Sequence, residues 1–202
     1  MTLRDQLMRV GTASLYEAAG TGSMSASIRP VGPSRGFAGR ATTARSPAGD
    51  NLVLHQMLRR RFRDEVLVVD AGQATLQAVW GEVMSVAAKT AGLSGLVLDG
   101  AVRDLASIAR VGFPIYARGA AIPGPLKQGP GDTDCIVTCG GTNVCPGDWV
   151  VADEDGVVVV ADEVVEDVLA RAEQREALER AIIARLEAGI SSTWDELGLA
   201  PV

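Results

Sequence analysis

Residues 93–119 read LSGLVLDGAVRDLASIARVGFPIYARG, and the fold turns on how this stretch divides. Leu93 to Leu98 is a short apolar run that stops at Asp99-Gly100. A helical pattern follows from Arg103 to Val111, and Phe113 to Ala117 is a second apolar run that stops at Arg118-Gly119. The same grammar extends toward the N-terminus, where Glu65 to Val69 is strand-like and ends at Asp70-Ala71-Gly72, with a helical pattern over Val83 to Ala91. Short apolar strands alternating with helices imply βαβ units and a buried, largely parallel sheet, which places the chain in the α/β class.

The flanks are of a different kind. The first 20 residues read as helical, with Thr2 and Thr12 as candidate caps and Gly11 and Gly20 as stops. Gly20 to Gly36 is rich in Gly, Pro and Ser and reads as a loop, and Phe37 to Arg45 reads as a strand. Pro47-Ala48-Gly49-Asp50 makes a turn whose Asp50 is placed to cap a helix from Asn51 to about Arg61. Beyond the central stretch, Cys135 to Thr138, Trp149 to Ala152 and Val157 to Val160 read as strands joined by Gly-rich turns, with Asp155-Gly156 favouring a hairpin. The tail from Asp162 to Gly189 reads as one charged amphipathic helix with an apolar stripe of Val164, Val165, Val168, Leu169 and Ala172. Such a helix reaches roughly 40 Å at about 1.5 Å per residue, more than one domain of this size needs, so residues 162–190 are expected to meet a neighbouring subunit. Neither a repeat nor a flexible linker interrupts the chain, and a single domain over 1–202 is the economical reading.

Composition narrows the function classes. Hydrophobic residues are 47% and charged residues 22% of the 202, ordinary for a globular protein, but aromatics are only 4%, so the core is built from aliphatic side chains. The formal net charge of −6 gives no basic footprint for nucleic acid. The run Arg59, Arg60, Arg61, Arg63 reads as a solvated helix end that complements the C-terminal dipole. Cys135, Cys139 and Cys145 lack paired Cys-x-x-Cys spacing and suit packing in a reducing compartment. No stretch approaches the roughly 18 apolar residues of a membrane span. Met1 to Gln6 has no uninterrupted apolar core of a signal peptide, so a cytoplasmic protein is expected.

In open α/β sheets, ligands bind outside the carboxyl ends of the strands. Two such ends here are polar and lead into helices: Val79-Trp80-Gly81-Glu82-Val83-Met84, and Leu98-Asp99-Gly100-Ala101-Val102-Arg103-Asp104. Gly81 to Met84 fall at a helix N-terminus, where free N–H groups and the dipole suit a carboxylate. Glu82 adds a carboxylate of its own. Arg103 offers a forked cation for a carboxylate or enolate oxygen. Asp104 is a hard oxygen ligand of the kind Mg²⁺ or Mn²⁺ takes together with water. An Arg-Asp pair at a helix start also serves as a cap or a salt bridge, so spacing alone leaves both roles open.

Gly81-Glu82, twenty intervening residues and Arg103-Asp104, with Gly112-Phe113-Pro114-Ile115-Tyr116-Ala117-Arg118-Gly119 downstream and Gly49-Asp50-Asn51-Leu52-Val53-Leu54-His55 upstream, make the chain similar to a known family. It resembles the 4-hydroxy-4-methyl-2-oxoglutarate / 4-carboxy-4-hydroxy-2-oxoadipate aldolases and the related regulators of ribonuclease activity A, over roughly residues 10 to 190. The resemblance implies a swivelling β/β/α fold, a homotrimer or homohexamer with the active site between subunits, and a divalent metal (Mg²⁺ or Mn²⁺) held by Asp104. It implies that Glu82, where relatives usually carry Asp, acts on the metal through water, with one more methylene to accommodate. It implies that Gly81, Glu82, Val83 and Met84 hold the 2-oxo acid and that Arg103 binds substrate. The activity it implies is cleavage of a 4-hydroxy-2-oxo acid to pyruvate, with decarboxylation of oxaloacetate through the same enolate. The general base stays open between a metal-linked hydroxide and a carboxylate, and Glu176 or Glu179 of the tail is a candidate contribution to a neighbour's site. The alternative on the same scaffold is a non-catalytic regulator that binds a ribonuclease.

The remaining candidates point the same way. A Schiff-base aldolase needs a buried lysine, and Lys89 and Lys127, the only two, fall on a helix surface and in a Gly/Pro-rich loop. His55 is the sole histidine and follows Asn51 by one helical turn, so both face one direction, either into a cleft or against the core. One histidine makes neither a Ser-His-Asp triad nor a His-rich zinc site. Gly140-Gly141-Thr142 and Gly129-Pro130-Gly131 match no phosphate-binding or dinucleotide fingerprint and read as turns.

Overall fold

The structure, a computed structural model, describes residues 1–32 and 36–200. Its centre is four strands: β2 (Phe37–Arg45), β3 (Val66–Trp80), β4 (Gly95–Val102) and β5 (Ile115–Ala120), each parallel to the next in that order. Every residue of β4 is buried, as expected for a strand covered on both faces. The sheet is mixed rather than largely parallel. The short β1 (Arg29–Pro30) joins β5 antiparallel, β6 (Asp132–Thr133) joins β2 antiparallel, and the hairpin of β9 (Trp149–Ala152) and β10 (Val157–Val160) extends the β2 side antiparallel. β7 (Val137–Cys139) and β8 (Thr142–Val144) form a separate ribbon. Asp155-Gly156 does close the β9–β10 hairpin.

Strand alternation assigns each side chain to a layer. Leu67, Val69, Leu96, Leu98, Ile115 and Ala117 point to one face and pack against α2 (Leu52–Met57), α3 (Glu82–Ala91) and α4 (Leu105–Val111). Their neighbours Val66, Val68, Val97 and Tyr116 point to the other face and meet β7–β8 and the hairpin through Val137, Val150 and Val159. The far side of the hairpin, Trp149, Val151, Val158 and Val160, is closed by α1 (Leu3–Ala19) and α5 (Val165–Glu187). The layers therefore run helix, strand, strand, with α1 and α5 outermost, which is the β/β/α arrangement.

The N-terminal helix begins with a capping box between Thr2 and Asp5 and ends on left-handed Gly20. At Gly11 (φ 80°, ψ 167°) it breaks, a conformation that only glycine adopts without strain. Thr12 does not cap the second half. Its N–H and hydroxyl both donate to Asp153, at 2.7 and 2.6 Å, so the capping carboxylate comes from the end of β9.

Three further expectations are corrected. The helix after Asp50 ends at Met57, so the arginine run lies beyond it, with Arg60 paired to Asp134 at 2.9 Å. The strand expected to stop at Asp70-Ala71-Gly72 continues to Trp80. Gly72 (φ 64°) and Gln73 (φ 58°) form an irregularity, and pairing with β4 resumes at shifted register. Of the three cysteines only Cys139 is buried, where burial pushes its thiol far up. Cys145 is exposed. Within the Gly20–Gly36 stretch, residues 33–35 lie outside the described residues. Among the described residues, no helix is long and apolar enough to cross a membrane.

Candidate active site

The carboxyl ends of β3 and β4 lie side by side, with Trp80 opposite Val102 in the last pair of the register. The Arg103 N–H donates to the Trp80 carbonyl at 2.9 Å, tying one loop to the other. β3 then turns into α3 at Gly81. Trp80 Nε1 donates to Ser85 Oγ at 2.9 Å, and that hydroxyl donates to the Gly81 carbonyl at 2.9 Å, so the first turn of α3 is fixed from inside the core.

Across this turn stands Asp104. Its Oδ2 accepts the Glu82 N–H at 3.2 Å and lies 3.7 Å from Arg103 Nε. A Cβ on Gly81 would fall 2.6 Å from that oxygen, so the approach requires a residue without one. Asp104 holds φ 64° and ψ 38°, the left-handed region, although it is not glycine. For an L-residue this costs about 1–2 kcal/mol, and such strain concentrates where a side chain must be aimed. Arg103 and Asp104 keep side chains 47% and 41% exposed, so neither is a closed structural pair.

Arg103, Asp104 and the Gly81–Met84 turn share a cleft of about 220 Å³ whose wall also includes Asn51, His55 and Lys127. The two strand-end segments thus converge. Of the residues singled out in the sequence, Gly81, Val83, Met84, Arg103 and Asp104 line this cleft. Glu82 is half-buried and reaches Asp104 through its backbone N–H. Its side chain is not part of the cleft wall. Glu176 is engaged elsewhere, with Arg9 at 3.4 Å and Arg180 at 3.6 Å, and Glu179 pairs with Arg175 at 3.0 Å.

Sequence reading passed over Lys127 except as a poor Schiff-base candidate. It is exposed, as expected, yet it borders the cleft. Asp50 brings it there. Asp50 Oδ2 accepts the N–H groups of Gln128 and Gly129 at 2.7 and 2.9 Å, and Oδ1 accepts that of Leu52 at 2.8 Å. Burial pushes the Asp50 carboxyl up, but these backbone donors outweigh it and hold the group below its ordinary range. Nothing local in the sequence joins Asp50 to a loop nearly eighty residues away. Lys89, by contrast, donates to the Val111 carbonyl at 2.7 Å and closes the end of α4.

The donor set can be tested against a metal. Asp104 is the one carboxylate on the cleft wall, its Oδ1 takes no hydrogen bond from the described residues, and it faces solvent. Among the described residues, no three of His, Cys, Asp and Glu gather as a metal cage. One hard, accessible carboxylate with water completing the sphere fits Mg²⁺ or Mn²⁺, and does not fit a structural zinc.

Comparison with known proteins agrees with the layers. The β/β/α scaffold recurs in an uncharacterized protein of Pseudomonas syringae pv. tomato (TM-score 0.84, 24% identity, covering 98% of this chain and 93% of that one). It recurs too in the RNA-processing inhibitor RraA of Thermus thermophilis (TM-score 0.69, 30% identity, 74% and 91%). A protein of Halalkalibacterium halodurans named "Putative 4-hydroxy-4-methyl-2-oxoglutarate aldolase" is 35% identical over 167 residues, 81% of this chain and 80% of that one. The RraA-like family, described as Aldolase/RraA, matches residues 12–159, and the chain belongs to it.

Proposed function

We propose that the chain is a divalent-metal-dependent lyase that splits 4-hydroxy-2-oxo acids of the 4-hydroxy-4-methyl-2-oxoglutarate type into pyruvate and a second carbonyl compound. Oxaloacetate decarboxylation is its companion activity. The observation that carries this reading is the convergence of Arg103, Asp104 and the start of α3 on one cleft. The name of the Halalkalibacterium relative supports it.

Asp104 would hold the cation, and Glu82, whose carboxylate stands outside the cleft wall, would act on it only through water. When bound, the cation supplies Lewis-acid polarisation of the 2-oxo group. The Glu82 N–H is taken by Asp104, but those of Val83 and Met84 have no carbonyl partner within the helix, and with the helix dipole they receive the substrate's C1 carboxylate. A base, either hydroxide or a carboxylate, takes the 4-hydroxyl proton, and the hydroxyl oxygen forms the carbonyl of the leaving fragment. The C3–C4 bond breaks, and its electron pair passes into a pyruvate enolate. The Arg103 guanidinium donates to the enolate oxygen as charge develops there. Loss of CO₂ from oxaloacetate yields the same enolate and draws on the same groups. Lys127, also on the cleft wall, suits a second carboxylate such as that of an oxoglutarate skeleton.

The reading includes a homotrimer or homohexamer. The second half of α5 supports it: Leu178 is 67% exposed and Ile183 51% on a helix that has passed the end of its own core. A regulator that binds a ribonuclease is the second reading, favoured by the 30% identity to the Thermus RNA-processing inhibitor. Pyruvate release from a 4-hydroxy-2-oxo acid and from oxaloacetate, with Mg²⁺ or Mn²⁺ and then with chelator, separates them. Turnover that requires the metal supports the lyase, and no turnover with any divalent ion leaves the regulator in front.

A further inference from the structure

The cleft wall contains two buried polar atoms with no partner among the described residues. Asn51 is 4% exposed, and its Nδ2 donates to the Val79 carbonyl at 3.0 Å and to Met84 Sδ at 3.3 Å. These bonds fix the amide, because the reversed orientation would set Oδ1 against a carbonyl oxygen. Oδ1 is left buried with no partner among the described residues. His55 follows one turn later on α2, its N–H donating to the Asn51 carbonyl at 3.2 Å, and its Nε2 is also buried with no partner. Both residues line the cleft that holds Arg103 and Asp104.

Native proteins pair buried polar atoms, and an unpaired one marks a place where something else supplies the bond. The ligand chemistry is set by the two atoms. Asn51 Oδ1 only accepts, so it calls for a donor. Burial, then the nearby charge of Lys127, disfavours a proton on His55, leaving a neutral ring with one N–H and one lone pair. A ring with its proton on Nε2 donates. One hydroxyl donates once and accepts, and residues four apart at a helix start are neighbours, so one hydroxyl has the chemistry to serve both atoms.

We propose that Asn51 and His55 form the hydroxyl-reading part of the site, receiving the hydroxyl on C4 of the substrate: Asn51 Oδ1 accepts from it and His55 Nε2–H donates to it. The assignment rests on the lyase reading and deepens it. It makes this pair the reason that a hydroxylated C4 is distinguished from a bare carboxylate. A site built to bond a hydroxyl discriminates strongly against a substrate without one.

The test compares two reactions of one enzyme. Cleavage of 4-hydroxy-4-methyl-2-oxoglutarate uses the hydroxyl, whereas oxaloacetate has none to offer. In His55→Phe, the ratio of kcat/KM for cleavage to kcat/KM for decarboxylation is expected to fall at least about tenfold, and His55→Gln, which keeps a nitrogen donor, to recover most of it. If His55→Phe does not accumulate as folded protein, His55→Ala takes its place, with the same expectation. A ratio that stays within about threefold of wild type, whether both rates fall together or neither does, overturns the assignment and leaves the lyase reading standing. A wild-type protein that turns over neither substrate overturns both.

Discussion

The Glu82 N–H donates to Asp104 Oδ2 at 3.2 Å, so the first turn of α3 and the first residue before α4 are held together by one bond across the cleft. Twenty residues separate Glu82 from the Arg103-Asp104 pair in sequence, and the parallel register of β3 with β4 brings them into contact. Carboxylate, guanidinium and helix N-terminus are thereby held in a fixed relation before any ligand arrives.

Gly81 is the residue that permits this approach. In Gly81→Ala the new Cβ lies 2.6 Å from Asp104 Oδ2 and 3.3 Å from Arg103 Cγ. The carboxylate is the end of a half-exposed side chain and swings away, so the fold survives while the aim is lost. Pyruvate release is expected to fall by about tenfold or more, since misplacing a reacting group by about 1 Å costs up to about 100-fold. Circular dichroism should still report a folded protein.

Asp104 is strained for its task. Asp104→Gly and Asp104→Ala both remove the carboxylate, and both are expected to lose metal-dependent turnover. They should differ in stability: alanine keeps the left-handed penalty and glycine does not, so the glycine variant is expected to unfold at about 1 kcal/mol higher free energy in urea. Equal stabilities would mean that the φ of 64° is not held in solution.

Arg103→Ala removes the donor assigned to the enolate oxygen. The expected loss is about 2–3 kcal/mol of transition-state stabilisation, on the order of 100-fold in kcat/KM for cleavage and decarboxylation alike. Steady-state kinetics on both substrates checks it.

Much of this was legible in the sequence, for a physical reason. Buried strands show as apolar runs, and Leu96, Val97 and Leu98 or Val157 to Val160 admit no other reading. Helix ends at Thr2 and Gly20 follow from local capping chemistry. What escaped was set by tertiary contacts. The stretch from Gly72 to Gln77 is largely exposed, Leu76 included, so no apolar alternation betrays that β3 continues to Trp80. The left-handed backbone of Asp104 leaves no trace in residue types, and Lys127 reaches the cleft only because Asp50 binds its loop. The Asn51–His55 spacing did foretell a shared direction, and the structure turns that direction to the cleft.

Asp50 offers a pH test. Its carboxyl sits below the ordinary range in the folded protein, so its contribution is fully present above the unfolded value of about 3.9 and disappears as pH falls through the lower folded value. Asp50→Asn is expected to cost about 1.5–3 kcal/mol at neutral pH, the range for hydrogen bonds to a charged group, and the difference from wild type should shrink below about pH 4. Chemical unfolding at pH 7 and at pH 3 measures it. A gap that grows on acidification would contradict the pairing of Asp50 with Gln128 and Gly129.

The most direct measurement is a crystal of the protein grown with pyruvate and Mn²⁺, using the anomalous signal of the metal to locate it. The lyase reading expects the ion on the Asp104 carboxylate, with pyruvate between the Arg103 guanidinium and the backbone N–H groups of the Gly81–Met84 turn. An ion bound elsewhere, or pyruvate absent from that cleft at saturating concentration, would contradict it.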